Sequence, residues 1–231
     1  MKELKDITII ILTKDESKNI SWVINELTKL NLNNILVVDA GSKDGTLELL
    51  KKAKINYFIQ NKKGYGAAIL EAINKVNTKY VTIIDADGSY DSRDIPAMLD
   101  KLIKKNLDLV LGSRYLFGNK SKDDTFIRLI GNKFFTKLCC TLFKIKITDS
   151  LFHFPVSKTD VYKNLNLRFK DFSICFELPV KANFYKFKYD EFLSIERPRM
   201  YGKSKVNALK DGLKILFNII YLYLNLYFFK R

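Results

Sequence analysis

Residues 81–98 read VTIIDADGSYDSRDIPAM. An apolar run, 81–84, has the length and β-branched content of a strand, and it ends in two carboxylates one residue apart, Asp85 and Asp87. Gly88 and Ser89 open a turn, and 95–104 has the apolar spacing of a helix. Acids at the carboxyl end of a strand in an α/β sheet lie at the crevice where ligands bind. Two carboxylates at this spacing suit Mg²⁺ or Mn²⁺, which complete their shells with water and substrate phosphate. Standing alone, the pair reads more readily as solvated turn acids.

The same alternation extends in both directions. Continuous apolar runs at 7–12 and 35–38 read as strands buried on both faces. Residues 57–59, 80–84 and 107–111 read as further strands. Helical spacing occurs at 17–30, with Ser17 as the N-cap, and at 46–53, 65–76 and 95–104. Strands alternating with helices imply an α/β fold with a mainly parallel sheet flanked by helices. The chain has no internal repeat, low-complexity tract or Pro/Gly-rich linker.

The 231 residues suit one domain with an appendage. A formal net charge of +15 calls for an anionic partner: nucleic acid, anionic lipid or a phosphorylated substrate. The three cysteines, Cys139, Cys140 and Cys175, form no disulfide framework, and one histidine, His153, leaves no zinc-ligand pattern. The N-terminal apolar run is too short for a signal peptide, so a reducing, cytosol-facing compartment is expected.

Two segments point to a membrane. Residues 126–146 read FIRLIGNKFFTKLCCTLFKIK. Arg128, Asn132, Lys133, Thr136, Lys137 and Lys144 gather on one helical face, with Ile127, Ile130, Phe134, Leu138, Leu142 and Ile145 opposite. This reads as an interfacial helix or a core-packing one. Residues 213–229 are almost wholly apolar, but Asp211, Lys214, Asn218 and Asn225 mark a narrow polar stripe. The stripe favours a helix lying in the interface, or packed on another helix, over one crossing the bilayer. Together the two segments favour peripheral attachment, with 206–231 as a membrane-associated helix appended to a domain at 1–205.

Further motifs carry chemistry. VVDAGSKDGT at 37–46 sets Asp39 at a strand end before a Gly/Ser turn, where an acid accepts hydrogen bonds from a base or ribose or simply caps the turn. In NKKGYGAAILEAI at 61–73, Gly64 and Gly66 open a helix whose amides either face an anion or make a tight turn. LGSRY ends a strand with Arg114. ERPRMYGKSK at 196–205 sets Arg197, Arg199, Lys203 and Lys205 around Gly202, a solvated basic face or a site for lipid phosphate.

In this order the motifs resemble the inverting family 2 glycosyltransferases of GT-A fold, and in particular their dolichyl- or polyprenyl-phosphate branch. The resemblance rests on ILTKDE, VVDAGSKDGT, KKGYGAAILEAI, DADGSYDSRDIPAML, LGSRY and RPRMYGKSK, which span nearly the whole chain. It implies that Leu12, Lys14, Glu16, Asp39, Asp85, Ala86 and Asp87 bind a nucleotide sugar, linked to GDP or UDP. It implies Asp85, Asp87 and Ser89 for the metal, Arg114, Arg199 and Lys205 for phosphates of donor or acceptor, and Asp87 and Arg199 for catalysis. It also matches 126–146 to interfacial helices.

The chain departs from the family pattern at three places. Lys14 stands where an aromatic is common, Ala40 where a second acid follows Asp39, and His153-Phe154-Pro155 where a Gly-Phe-basic triplet is frequent. His153 either replaces the lost basic group or packs in the core.

The expectation is therefore a metal-dependent enzyme moving a sugar from a nucleotide diphosphate to a polyprenyl phosphate at the cytosolic membrane face. The alternatives are another acceptor (glycan, lipid or protein), or a non-catalytic membrane or nucleic-acid binder on a degenerate transferase fold. The intact acid pair favours the enzyme, with no nucleic-acid partner expected.

Overall fold

The computed structural model describes residues 2–119, 121, 125–202 and 208–228. The elements, in chain order, are β1 (Ile7–Thr13), α1 (Ile20–Lys29), β2 (Ile35–Asp39), α2 (Thr46–Lys52), β3 (Asn56–Ile59), α3 (Tyr65–Ile73), β4 (Tyr80–Asp85) and α4 (Asp94–Lys104). They continue with β5 (Leu109–Ser113), α5 (Phe126–Phe143), β6 (Pro155–Lys158), α6 (Thr159–Asn164), α7 (Ile174–Phe184), β7 (Tyr189–Leu193) and α8 (Ala208–Tyr227). One seven-stranded sheet runs in the order β3-β2-β1-β4-β6-β5-β7. All pairs are parallel except those of β6, which runs antiparallel to both β4 and β5.

β1 explains the central layer. All seven of its residues are buried, and alternate side chains serve opposite faces. Ile7, Ile9 and Ile11 pack with α1 and α4, whereas Ile10 and Leu12 pack with α3 and α7. Each such burial stabilises by roughly 1.5–3 kcal/mol, and β-branched residues fit the pleat.

Several sequence boundaries move. α1 starts at Ile20 rather than Ser17, because the Ser17 amide bonds the Asp44 carboxylate at 2.9 Å and is held outside the helix. α5 stops at Phe143, where Lys144 turns left-handed at φ 53°. β5 begins at Leu109, two residues later than expected. The faces of α5 also differ: Thr136, placed on the polar side, is buried against Ser150 at 3.0 Å, while Phe126, Ile127, Ile130 and Phe134 are exposed.

α8 buries Ile215, Ile219, Leu222 and Leu226 in the same core cluster as α5 and α7. Its polar stripe meets the segment before α7: exposed Lys214 pairs through Nζ with Asp171 at 2.8 Å, and half-buried Asn218 donates from Nδ2 to Ser173 Oγ at 2.8 Å. Its outer face is apolar, with Leu213 63% and Phe217 69% exposed. Among the described residues no helix is long and apolar enough to cross a membrane.

Candidate active site

Strand order fixes the site. From β1 the chain proceeds outward to β2 and β3, then returns to the other flank of β1 as β4. The carboxyl ends of β1 and β4 therefore form a switch point, where loops diverge and leave a crevice. Register sets Leu12 beside Val38 on one side and Asp85 on the other. A cleft of about 530 Å³ opens there, lined among others by Leu12, Lys14, Glu16, Ala40, Gln60, Tyr65, Asp85, Ala86, Asp87 and Arg199.

Its floor is acidic and tightly wired. Asp87 Oδ1 accepts from the Ser89 amide at 3.0 Å and the Ser89 hydroxyl at 2.7 Å. Asp87 Oδ2 lies 2.9 Å from Arg199 Nη2, and Arg199 Nη1 donates to Glu16 Oε1 at 2.6 Å. Glu16 Oε2 accepts from Asn19 Nδ2 at 2.6 Å. One guanidinium thus joins the loop after β1 to the loop after β4. The backbone follows the same path, since the Arg197 amide bonds Ser89 O at 2.8 Å and the Met200 amide bonds Asp87 O at 3.2 Å. Burial opposes the charge on Arg199, but Asp87 and Glu16 outweigh it and raise its pKa.

Asp85 differs from Asp87 in its surroundings. Burial and then the neighbouring Asp87 carboxylate push its pKa well above the ordinary carboxylate range, against opposing contributions from Arg199 and a hydrogen bond from Tyr65. A divalent cation would relieve this like-charge pair. Among the described residues no cluster of three or more His, Cys, Asp or Glu forms a complete protein cage. Two carboxylates suffice for a cation that borrows substrate phosphates, so the donor set fits Mg²⁺ or Mn²⁺.

Other expected site residues fall elsewhere. Asp39 is fully buried, and its carboxylate accepts from the Gly41 amide at 2.8 Å, the Ser42 amide at 2.7 Å and the Ser42 hydroxyl at 2.5 Å. It shapes the turn, while Ala40 lines the cleft. Ser89 is buried behind Asp87. Gly64 and Gly66 make a close approach between segments: a Cβ on Gly64 would lie 2.0 Å from Lys170 O, and one on Gly66 2.2 Å from Phe169 O. Lys170 O also accepts from the Ala67 amide, so protein backbone rather than an anion meets this end of α3.

Arg114 lies outside the cleft. Asp149 holds its guanidinium in a fork, at 2.7 Å from Nε and 3.0 Å from Nη2, and Glu196 adds a contact at 3.2 Å. It lines a second, mainly apolar cavity of about 380 Å³ between α5, α8 and the start of α7, together with Arg128, Asn132, Phe172 and Cys175. Lys205 lies outside the described residues. His153 is 2% exposed, with Nε2 2.8 Å from the Tyr162 hydroxyl. Burial lowers its pKa to about 3, which makes it a neutral core histidine.

Sequence reasoning missed Tyr65, Phe172, Asn19 and the Asp149–Glu196 pair. Tyr65 had a local signal, an aromatic between two glycines in GYG; the others had none, because their partners are distant in sequence.

A GT-A-type α/β domain with an acid-floored cleft at its switch point defines a class, and comparison with known proteins gives the family. The chain belongs to glycosyl transferase family 2, whose sequence model matches residues 8–165. The protein is a glycosyltransferase. It is 27% identical over 208 residues to glycosyltransferase AglJ of Haloferax volcanii, covering 89% of this chain and 68% of that one. It is 25% identical over 241 residues to a UDP-N-acetylglucosamine–dolichyl-phosphate N-acetylglucosaminyltransferase of Methanococcus voltae, covering 94% and 96%. A dolichol-phosphate mannosyltransferase of Pyrococcus furiosus is 26% identical over 225 residues, with 93% and 63% covered. Among solved structures, glucosyl-3-phosphoglycerate synthase from Mycobacterium tuberculosis, in complex with Mn²⁺, UDP and glucosyl-3-phosphoglycerate, superposes with a TM-score of 0.73. It shares 15% identity, with 95% of this chain and 79% of that one covered, a likeness of fold.

Proposed function

We propose that this protein transfers a sugar from a UDP- or GDP-linked donor to a polyprenyl phosphate at the cytosolic surface of a membrane, with Mg²⁺ or Mn²⁺. The observation that carries the reading is the adjacency of two cavities: the acid-floored cleft and an apolar cavity between α5 and α8 share the lining residue Phe172. Both helices present exposed apolar side chains outward, among them Ile127, Phe134, Leu213 and Phe217. Such a surface suits lipid, and the cavity beside it suits an isoprenoid chain. The names of the Methanococcus and Pyrococcus relatives, which specify dolichyl phosphate, support the acceptor class. The Mn²⁺ and UDP of the solved neighbour support the donor class. In this reading residues 1–205 carry the transferase domain and 206–231 the membrane-facing helix.

Asp85 and Asp87 would hold the metal, with Ser89 fixing the Asp87 rotamer. Bound there, the metal supplies positive charge to the leaving diphosphate. Leu12, Lys14, Glu16, Asp39 through its turn, and Ala86 frame the nucleotide. Arg199 adds a second positive charge beside Asp87, held in place before substrate arrives. Arg114, Arg199 and Lys205 are the basic groups assigned to the reacting phosphates, with Arg114 acting from its ion-paired position at the cavity. The acceptor oxygen bonds the anomeric carbon as the carbon–oxygen bond to the diphosphate breaks, and the leaving diphosphate keeps the electron pair. A phosphate monoester is already anionic near neutral pH, so the step needs no strong general base, and a single displacement inverts the anomeric centre.

The test is incubation of the full chain with Mn²⁺, a panel of nucleotide sugars and undecaprenyl phosphate in micelles, read by mass spectrometry. Metal-dependent sugar-phospho-lipid is expected. Sugar transferred only to water-soluble acceptors would refute the lipid assignment.

A further inference from the structure

Among the described residues, Phe172 is the one side chain that lines both the acidic cleft and the apolar cavity. Its ring stacks on Tyr65, with centroids 4.6 Å apart and planes at 22°. Tyr65 lines the cleft beside Asp85. The backbone around Phe172 is tied down on both sides. Asp171 pairs with Lys214 of α8 at 2.8 Å, and its Oδ1 accepts from the Ser173 amide at 2.8 Å. Ser173 Oγ accepts from Asn218 of α8 at 2.8 Å, and Lys170 O accepts from the Ala67 amide of α3 at 3.1 Å. A ring only partly buried, yet anchored through three neighbouring residues to two helices, is fixed at the junction of two chambers.

We propose that Phe172 is a positioning residue that forms the partition between donor and acceptor. The transferred sugar rests against its ring on the cleft side, and the ring narrows the passage, so that loose water in the second cavity is kept from the anomeric carbon while an acceptor phosphate seated at the ring's edge reaches it. This rests on the donor and acceptor reading of the two cavities given above. The C–H faces of a pyranose are apolar and pack on aromatic surface, which orients the sugar without competing hydrogen bonds. Water is the competing nucleophile: its oxygen bonds the anomeric carbon, the bond to the diphosphate breaks, and the water proton passes to solvent. Exclusion of that water is what a wall at this point contributes.

The experiment uses the full chain with Mn²⁺ and, separately, UDP-N-acetylglucosamine, UDP-glucose and GDP-mannose, with and without undecaprenyl phosphate in micelles. Nucleoside diphosphate released without lipid measures hydrolysis, and sugar-lipid measures transfer. Phe172→Ala is expected to raise the ratio of hydrolysis to transfer at least 10-fold, with the donor KM raised about 2- to 10-fold by loss of the ring under the sugar. Phe172→Tyr is expected to keep the wild-type ratio, and Phe172→Leu to fall between. A folded Phe172→Ala with an unchanged ratio overturns the proposal. If Phe172→Ala does not fold, an unchanged ratio in Phe172→Leu overturns it instead. If the wild type hydrolyses donor but makes no lipid product, the acceptor reading falls, and faster hydrolysis in Phe172→Ala still supports the wall. Failure of the wild type to bind any of the three donors removes both.

Discussion

His153 makes the stability of this fold depend on pH in a calculable way. The ring is 2% exposed, its one hydrogen-bond partner is the Tyr162 hydroxyl, and burial holds its pKa at about 3 against 6.5 for a solvent-exposed imidazole. Between those values the unfolded chain binds a proton at this position that the folded chain does not. Stability from this site is therefore complete above about pH 6.5 and is lost as pH falls, by roughly 1.4 kcal/mol per pH unit. Lowering the pH from 6.5 to 4.5 removes about 2 kcal/mol from this one group, a large share of the roughly 5–15 kcal/mol of a typical domain. Asp85, Asp94 and Glu191, whose pKa values are raised in the fold, act in the opposite sense, so the wild-type slope alone is ambiguous. His153→Gln keeps a hydrogen-bonding partner for Tyr162, removes the titration and leaves the acids in place. Urea unfolding of both proteins from pH 7 to 4.5, followed by the single tryptophan, Trp22, gives the difference. The variant is expected to be the less stable at pH 7 and to close the gap by about 2.5 kcal/mol at pH 4.5. Parallel stability curves would refute the reasoning, since they would mean that His153 is protonated in the folded protein.

Three further substitutions probe other parts of the argument. Asp87→Asn is expected to reduce transfer at least 100-fold and to abolish the Mn²⁺ dependence of nucleoside diphosphate binding by calorimetry; retained activity would remove Asp87 from the metal role. Gly64→Ala sets a Cβ 2.0 Å from Lys170 O at a backbone φ of +126°, and a loss of roughly 2–4 kcal/mol is expected in thermal or urea unfolding. Leu213→Ser with Phe217→Ser alters exposed positions on α8, so folding should be unchanged while affinity for anionic vesicles in sedimentation falls about 100-fold or more, each side chain contributing roughly 1.5–3 kcal/mol when buried in lipid. Deleting α8 is the poorer experiment, because it would also strip Ile215, Ile219, Leu222 and Leu226 from the core.

The first half of the chain was legible because its signals are local. An apolar run ending in Asp85-Ala86-Asp87 and a Gly turn fixes strand, turn and site together, and parallel α/β alternation repeats the pattern from β1 to β4. The second half follows longer-range logic. β6 is four residues long, begins with Pro155 and inserts antiparallel between β4 and β5, so no periodicity within 155–158 announces it. α7 carries Pro179, and its buried Glu177 and Lys181 pair with one another at 2.7 Å, so its polar residues look like a surface face while facing inward. The ion pairs of Arg114 with Asp149 and Glu196 were hidden in the same way, because those partners are distant in sequence.

The polar stripe of α8 lies along the border of its buried face. On a helix at a protein surface, polar residues face water and apolar ones the core. Here half-buried Asn218 bonds Ser173, exposed Lys214 reaches Asp171 from the rim, and much of the exposed side is apolar. Burying the Asn218 amide costs desolvation unless it is paired, and Ser173 supplies the partner. The two pairs fall on either side of Phe172, the residue between the cavities. The same helix therefore offers an apolar face outward and fixes the loop beside Asp85 from within. A substitution on the inward stripe, such as Asn218→Leu, should disturb the cleft while leaving the outward face unchanged. Vesicle affinity and transfer can thus be separated by the face of α8 that is altered, with Phe217 as the outward probe, since Leu213 also lines the apolar cavity.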